Sequence, residues 1–407
     1  MVKHSESDQT ATDPPEAGLS AHLSKRVQSI PASGIRRFFD LLASMDDVIS
    51  LGVGEPDFVT PWNIRDAGIR SIEDGHTHYT SNFGIPELRE QLAVHLQRLY
   101  GLEFDPFGEL LVTSGVSEGL DIAIRALVDP GDEVILQDPA YVAYRPAIEL
   151  AGGVPVPVCT SSEEGFAFDP EAVAAAVTPR TKAVLMGFPS NPTGAVMSAE
   201  ALARLAEVMV RHDLVAISDE IYDRLVYGVE HTPVAALPGM RERTITLGGF
   251  SKNYAMTGWR VGYAAAPYGL LEGMMKVHQY VMMSAPTNAQ FAALEALTAG
   301  EEQLGTMRDE YDRRRRLMYQ GFNKIGLSCI EPLGALYAFP NITPTGLDDE
   351  TFAEQLLVEE QVAVVRGSAF GEGGRGHVRA CYATSYSDIE RALDRIRRFV
   401  STRVGAK

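Results

Sequence analysis

The chain has 407 residues, 45% of them hydrophobic and 22% charged, with a formal net charge of -18. That length and balance suit a folded protein of two or three domains, and so acidic a chain argues against non-specific binding to nucleic acid or to an anionic membrane. The three cysteines, Cys159, Cys329 and Cys381, lie far apart without metal-site spacing, so neither a disulfide framework nor a zinc site is expected.

The chain opens on MVKHSESDQTATDPPEAG, which is polar, contains proline and lacks the apolar core of a secretory signal. Residues 1–24 read as a disordered tail, and residues 25–55 as a segment joining a smaller domain. No run approaches the ~18–20 apolar residues needed to cross a bilayer, and a cytoplasmic location is expected. From about residue 109, apolar runs alternate with amphipathic stretches: ELLVT (109–113), EVILQ (133–137), GVPVPV (153–158), KAVLMG (182–187), LVAIS (214–218), TITLG (244–248) and VGYAAA (261–266). Nearly continuous apolar strands separated by helices predict a sheet buried on both faces. The expectation is therefore an α/β, three-layer sandwich with a mostly parallel central sheet over residues 56–285.

Beyond Ala285 the texture changes. A charged helix is predicted over roughly 301–324, then ALYAFPNI (335–342), a helix near 350–359, VAVVRG (362–367) and HVRACYAT (377–384). A last helix is expected to open at Ser387, with Glu390 at capping-box spacing. Residues 286–407 thus read as a long connecting helix and a smaller α+β domain. The run Arg313–Arg316 follows RDEYD and reads as a solvated helix face in preference to a nucleic-acid patch. No internal repeat is visible.

In an open parallel sheet, ligands bind beyond the carboxyl ends of the strands. After ELLVT comes Ser114-Gly-Val-Ser117, a small turn opening a helix, whose free N–H groups suit an anion. After EVILQ comes Asp138-Pro-Ala-Tyr141, and after KAVLMG comes Phe188-Pro-Ser-Asn191-Pro-Thr-Gly194. After LVAIS comes Asp219-Glu-Ile-Tyr222, a carboxylate that needs a partner where it is half-buried. After TITLG comes Gly249-Phe-Ser-Lys252, followed by Arg260. Taken singly, each of these has an ordinary structural reading as a turn, a core ring or an ion pair. Together they supply an anion cradle, a flat ring, an amide, a carboxylate beside a phenol, and a lysine. A phosphorylated, planar, aldehyde-bearing pyridine needs all of them at once.

The chain resembles the class I/II aminotransferases of the aspartate aminotransferase fold, pyridoxal 5'-phosphate (PLP) enzymes of fold type I, from about Ile49 to the C-terminus. The resemblance rests on GVGEPDF (52–58), HYTSNFGIPELR (78–89), SNPTG (190–194), DEIY (219–222), SKNYAMTGWRVG (251–262) and HVRACYA (377–383). It implies that Lys252 forms the aldimine with PLP and then shuttles a proton, with Asp219 on the pyridinium nitrogen and Asn191 and Tyr222 on the ring oxygen. Tyr141 would stack on the ring. Val116, Ser117, Ser251 and Arg260 would hold the phosphate, joined by Tyr79 from a neighbouring subunit. Arg379, with Gly54 and Asn191, would bind the substrate carboxylate.

The implied activity moves the amino group of an L-amino acid to a 2-oxo acid, 2-oxoglutarate by expectation, in a ping-pong cycle on a homodimer. Aspartate, alanine and aromatic donors stay open. Arg36 borders the entrance by expectation, and Phe38, Phe39, Phe58 and Tyr337 are candidates for an apolar pocket. A C–S β-lyase or a synthase on the same scaffold is the alternative, since one scaffold hosts several chemistries. A PLP-sensing transcription regulator would need a DNA-binding domain, which the short acidic-to-neutral tail does not supply.

Overall fold

A computed structural model describes residues 22–30 and 47–404. Most of the expected tail, and with it Arg36, Phe38 and Phe39, lies outside the described residues. The chain enters through a short helix, Lys25–Ser29, capped by Ser24. Strand β1 (Ile49–Ser50) follows, then helices Trp62–Glu73 and Pro86–Tyr100.

The central sheet has seven strands: β2 (Leu110–Thr113), β3 (Glu133–Asp138), β4 (Val154–Cys159), β5 (Thr181–Gly187), β6 (Val215–Asp219), β7 (Thr244–Gly249) and β8 (Gly262–Ala265). Their order in space is β2-β8-β7-β6-β5-β3-β4. All pairings among β3 to β7 are parallel, whereas β8 runs antiparallel to both β2 and β7. Successive side chains on a strand point to opposite faces, and the packing follows that rule. Val134, Leu136, Ile217 and Leu247 meet Ile122, Ile124 and Met274 on one face. Ile135, Val184, Met186 and Ala216 meet Leu205 and Met209 on the other. Burying both faces requires helices on both, which is the three-layer sandwich.

The smaller layer holds β9 (Tyr337–Ala338), β10 (Val362–Ala363), β11 (Val365–Arg366) and β12 (Val378–Cys381). β1 pairs in parallel with β10, and β12 lies between β11 and β9 with both pairings antiparallel. The expected strand VAVVRG is therefore two short strands in two sheets. Helix Tyr386–Val404 packs here between the long helix Glu301–Ile325 and helix Asp349–Glu360.

Three local readings need correction. Helix Thr287–Ala299 packs against Trp62–Glu73 and Pro86–Tyr100, so the change of layer falls at Gly300 and not after Ala285. The last helix is capped by Ser385, whose Oγ accepts the Asp388 N–H at 3.1 Å, two residues before the expected Ser387. The arginine run is only half solvated. Arg314 and Arg315 are 7% and 4% exposed, Arg314 pairing with Asp57 and Glu310, and Arg315 with Asp312 and Glu331. At helical spacing, four consecutive residues cannot share one face. Among the described residues, no helix is long and apolar enough to cross a membrane.

Candidate active site

A cavity of about 590 Å³ opens between the carboxyl ends of the central strands and the smaller layer. Gly54, Val116, Ser117, Tyr141, Asn191, Asp219, Tyr222, Ser251, Lys252, Arg260 and Arg379 all line it. Tyr79, expected to reach the phosphate, is absent from the lining and is 82% exposed on this chain.

Lys252 follows β7, and its Nζ donates to the Gly54 carbonyl oxygen at 2.6 Å. Burial pulls its amine down to about 8, because a charged ammonium loses hydration there. Asp219 ends β6 and points to the cavity face, opposite to its neighbours Ser218 and Glu220. Burial pushes its carboxyl up to about 6, against the lowering effect of hydrogen bonds from Tyr144 Oη and the Ile221 N–H. Tyr144 Oη donates to Asp219 Oδ2 at 2.8 Å, and the Ile221 N–H reaches Oδ1 at 3.2 Å.

Arg379 lies on β12. Its Nη1 donates to Asn191 Oδ1 at 2.9 Å and its Nη2 to the Gly52 carbonyl at 2.7 Å. The guanidinium stacks between Tyr337, 4.4 Å from the ring centroid, and Phe370, 4.9 Å away. Nε is buried without a partner, so this fork retains donors for an anion. Because Asn191 Oδ1 is engaged by Arg379, the Asn191 amide N–H groups are left to donate. The Tyr222 and Tyr337 hydroxyls are 2.7 Å apart, and Tyr337 Oη lies 3.4 Å from the Gly54 oxygen.

The helix Gly115–Leu127 begins at the cavity. Gly115 has φ 75°, and a Cβ there would lie 2.6 Å from Arg260 Nη2. Glycine thus lets the arginine close on the helix start, where N–H groups already favour an anion. Arg260 Nη1 is held by the Thr257 carbonyl at 3.0 Å.

Three lining residues carry roles not assigned from the sequence. Tyr144 was readable as a second aromatic three positions after Tyr141, where the chain re-enters a helix. Phe370 sits in the glycine-rich run 367–376, a pattern that marks a shaped loop. Tyr337 was named only as a pocket candidate. Phe58, the other described candidate, packs on Tyr311 and Arg314 and does not line the cavity.

The residues present fit PLP on structural grounds. A buried carboxylate without an ion-pair partner among the described residues suits a protonated ring nitrogen, and a half-buried amine suits an aldehyde. An arginine against a helix N-terminus suits a phosphate. Such a set defines an enzyme that works on amino groups through this cofactor. The chain belongs to the class I and II aminotransferases, whose family pattern matches residues 46–396.

It is 53% identical to YugH of Bacillus subtilis over 94% of this chain and 99% of the relative. It is 44% identical to an aspartate aminotransferase of Pyrococcus abyssi, over 92% and 97%. Among solved structures, an aromatic aminotransferase from Pyrococcus horikoshii matches with a TM-score of 0.86 at 43% identity, covering 91% of this chain and 99% of that one. An aspartate aminotransferase from Thermus thermophilus matches with a TM-score of 0.88 at 42% identity, over 92% and 99%. The protein is a PLP-dependent aminotransferase.

Proposed function

We propose that this aminotransferase moves the amino group of an L-amino acid to 2-oxoglutarate, donor and acceptor using one cavity in turn in a ping-pong cycle. Relatives named for aspartate and for aromatic amino acids support a donor drawn from that range. One observation carries the residue roles: the Lys252 amine, the Asp219 carboxylate and the Arg379 fork line the same cavity.

PLP supplies an electron sink for the charge left when a bond to the substrate Cα breaks. Lys252 Nζ, brought near neutrality by burial, takes the Cα proton and later returns one. Asp219 keeps the ring nitrogen protonated by its counter-charge. The Asn191 amide and the Tyr222 phenol donate toward the ring oxygen, and Tyr141 covers a ring face. N–H groups of Val116 and Ser117, with Ser251 and Arg260, balance the phosphate charge. Arg379 and the Gly54 backbone orient the substrate by its α-carboxylate, Asn191 bracing the guanidinium.

Tyr79 is assigned to the site of a second copy, which makes the working unit a homodimer with sites at its interface. Its exposure on a single chain supports that assignment. Lys252→Ala is the direct test: the expected protein folds, lacks the visible absorbance of lysine-bound cofactor, and loses turnover by roughly 10²–10⁴-fold or more. Normal turnover in that variant would remove the reading. Following glutamate formation with each common amino acid plus 2-oxoglutarate identifies the donor.

A further inference from the structure

The run GSAFGEGGRG, residues 367–376, joins β11 to β12 in the smaller layer, yet it is fastened to the end of β3 in the central sheet. Asp138, the last residue of β3, is 4% exposed. Its Oδ1 accepts the Gly373 N–H at 3.0 Å and its Oδ2 accepts the Glu372 N–H at 3.2 Å. Beside it, the Ala140 N–H donates to the Phe370 carbonyl at 2.9 Å.

The loop is shaped around this carboxylate. Gly371 has φ 130°, and a Cβ there would lie 1.9 Å from Asp138 Oδ1; a Cβ at Gly373 would lie 2.5 Å from the Asp138 carbonyl oxygen. No described cation makes an ion pair with Asp138, Arg145 acting on it only from longer range. A buried carboxylate held only by backbone N–H groups is costly, and a loop needing packing alone would not call for one. What the loop carries into the cavity is Phe370, 5% exposed, with its ring on the Arg379 guanidinium.

We propose that Asp138 is a positioning residue that latches loop 367–376, and that Phe370 on this loop selects donors with aromatic or large apolar side chains. The inference rests on the aminotransferase reading above. A substrate bound to Arg379 by its α-carboxylate has its side chain one bond from the adjacent Cα, within reach of a ring stacked on the same guanidinium. Val53, Val142, Ile221 and Tyr337 extend the apolar lining. Apolar contacts of this kind are made equally in the bound and reacting states, so they act on KM and leave kcat nearly unchanged.

The experiment measures kcat and KM of the holoenzyme for phenylalanine and for alanine, each with 2-oxoglutarate. In Phe370→Ala the ratio of kcat/KM for phenylalanine to that for alanine is expected to fall about three- to tenfold, carried by KM, with the cofactor absorbance unchanged. Asp138→Asn replaces an acceptor by a donor facing two N–H groups. It is expected to shift the ratio in the same direction and to speed amide hydrogen exchange in residues 367–376. Gly371→Ala breaks the latch from the loop side and reproduces both effects should Asp138→Asn fold poorly.

Unchanged ratios in Phe370→Ala, or in both latch variants, would overturn the proposal. So would a wild-type enzyme that accepts aspartate and refuses phenylalanine, a result that leaves aminotransfer standing. A wild-type enzyme that transfers from no amino acid removes the underlying reading instead.

Discussion

At the carboxylate of Asp219, two opposed effects meet: burial disfavours its charge, and hydrogen bonds from Tyr144 and the Ile221 N–H favour it. A hydrogen bond to a charged group contributes about 1.5–3 kcal/mol. Removing the Tyr144 hydroxyl therefore raises the Asp219 carboxyl further, and ionised Asp219 survives only at higher pH. In Tyr144→Phe, the Asp219 carboxyl of the cofactor-free protein is expected to titrate about 1–2 pH units higher, followed by infrared difference spectroscopy. A titration that stays in place would show that Tyr144 only fills space. The sequence showed Asp219 because a carboxylate directly after an apolar strand is conspicuous. It hid Tyr144, because a tyrosine at a helix start looks the same whether it points to a core or to an acid 75 residues away. Arg379 was legible through its motif, but its stacking between Tyr337 and Phe370 depends on two chain segments that meet only in the fold.

Among the elements, periodicity located every strand of the mostly parallel central sheet and did not say which strand is the exception. VGYAAA is as apolar as its neighbours, and nothing in its composition says that β8 runs against β2 and β7. Direction is set by connection length and by what must be covered, both properties of the assembled chain. Helix ends failed for a more local reason. Ser385 and Ser387 both precede an acidic residue by three positions, so the pattern offers two caps. Only Ser385 Oγ accepts the N–H of the residue three positions on. Ser385→Ala is expected to cost about 1 kcal/mol and Ser387→Ala a few tenths, measured by urea unfolding. In the helix Glu301–Ile325, Arg315 is 4% exposed and also donates to the Pro332 carbonyl at 2.9 Å. Arg315→Ala removes the cation that Asp312 and Glu331 share; both carboxylates are partly exposed and Asp312 keeps Arg316, so the expected cost is about 1–3 kcal/mol. A loss below 1 kcal/mol would mean that water replaces the arginine at no penalty.

For the whole molecule, the cavity is a product of two layers: Lys252, Asp219 and Arg260 come from strand ends and loops of the central sheet, and Arg379, Tyr337 and Phe370 from the smaller layer. Neither layer alone can orient a substrate against the lysine. The proposed dimer adds a third contributor: Tyr79 is 82% exposed and does not line its own chain's cavity, which leaves it free to reach a partner's. Two individually impaired variants then test the arrangement. Tyr79→Ala leaves Lys252 intact but weakens cofactor binding in the partner's site, and Lys252→Ala leaves Tyr79 intact but disables its own. In a mixed dimer, the site holding Lys252 receives Tyr79 from the Lys252→Ala chain and is whole. The opposite site lacks both. Subunit exchange between the two variants, assayed at limiting PLP, is expected to give more turnover than the same proteins kept apart. If Tyr79 acted within its own chain, no mixed dimer could hold a whole site, and exchange would add nothing. Sedimentation of the mixture establishes that exchange has taken place, so an unchanged rate among exchanged dimers would count against a shared site.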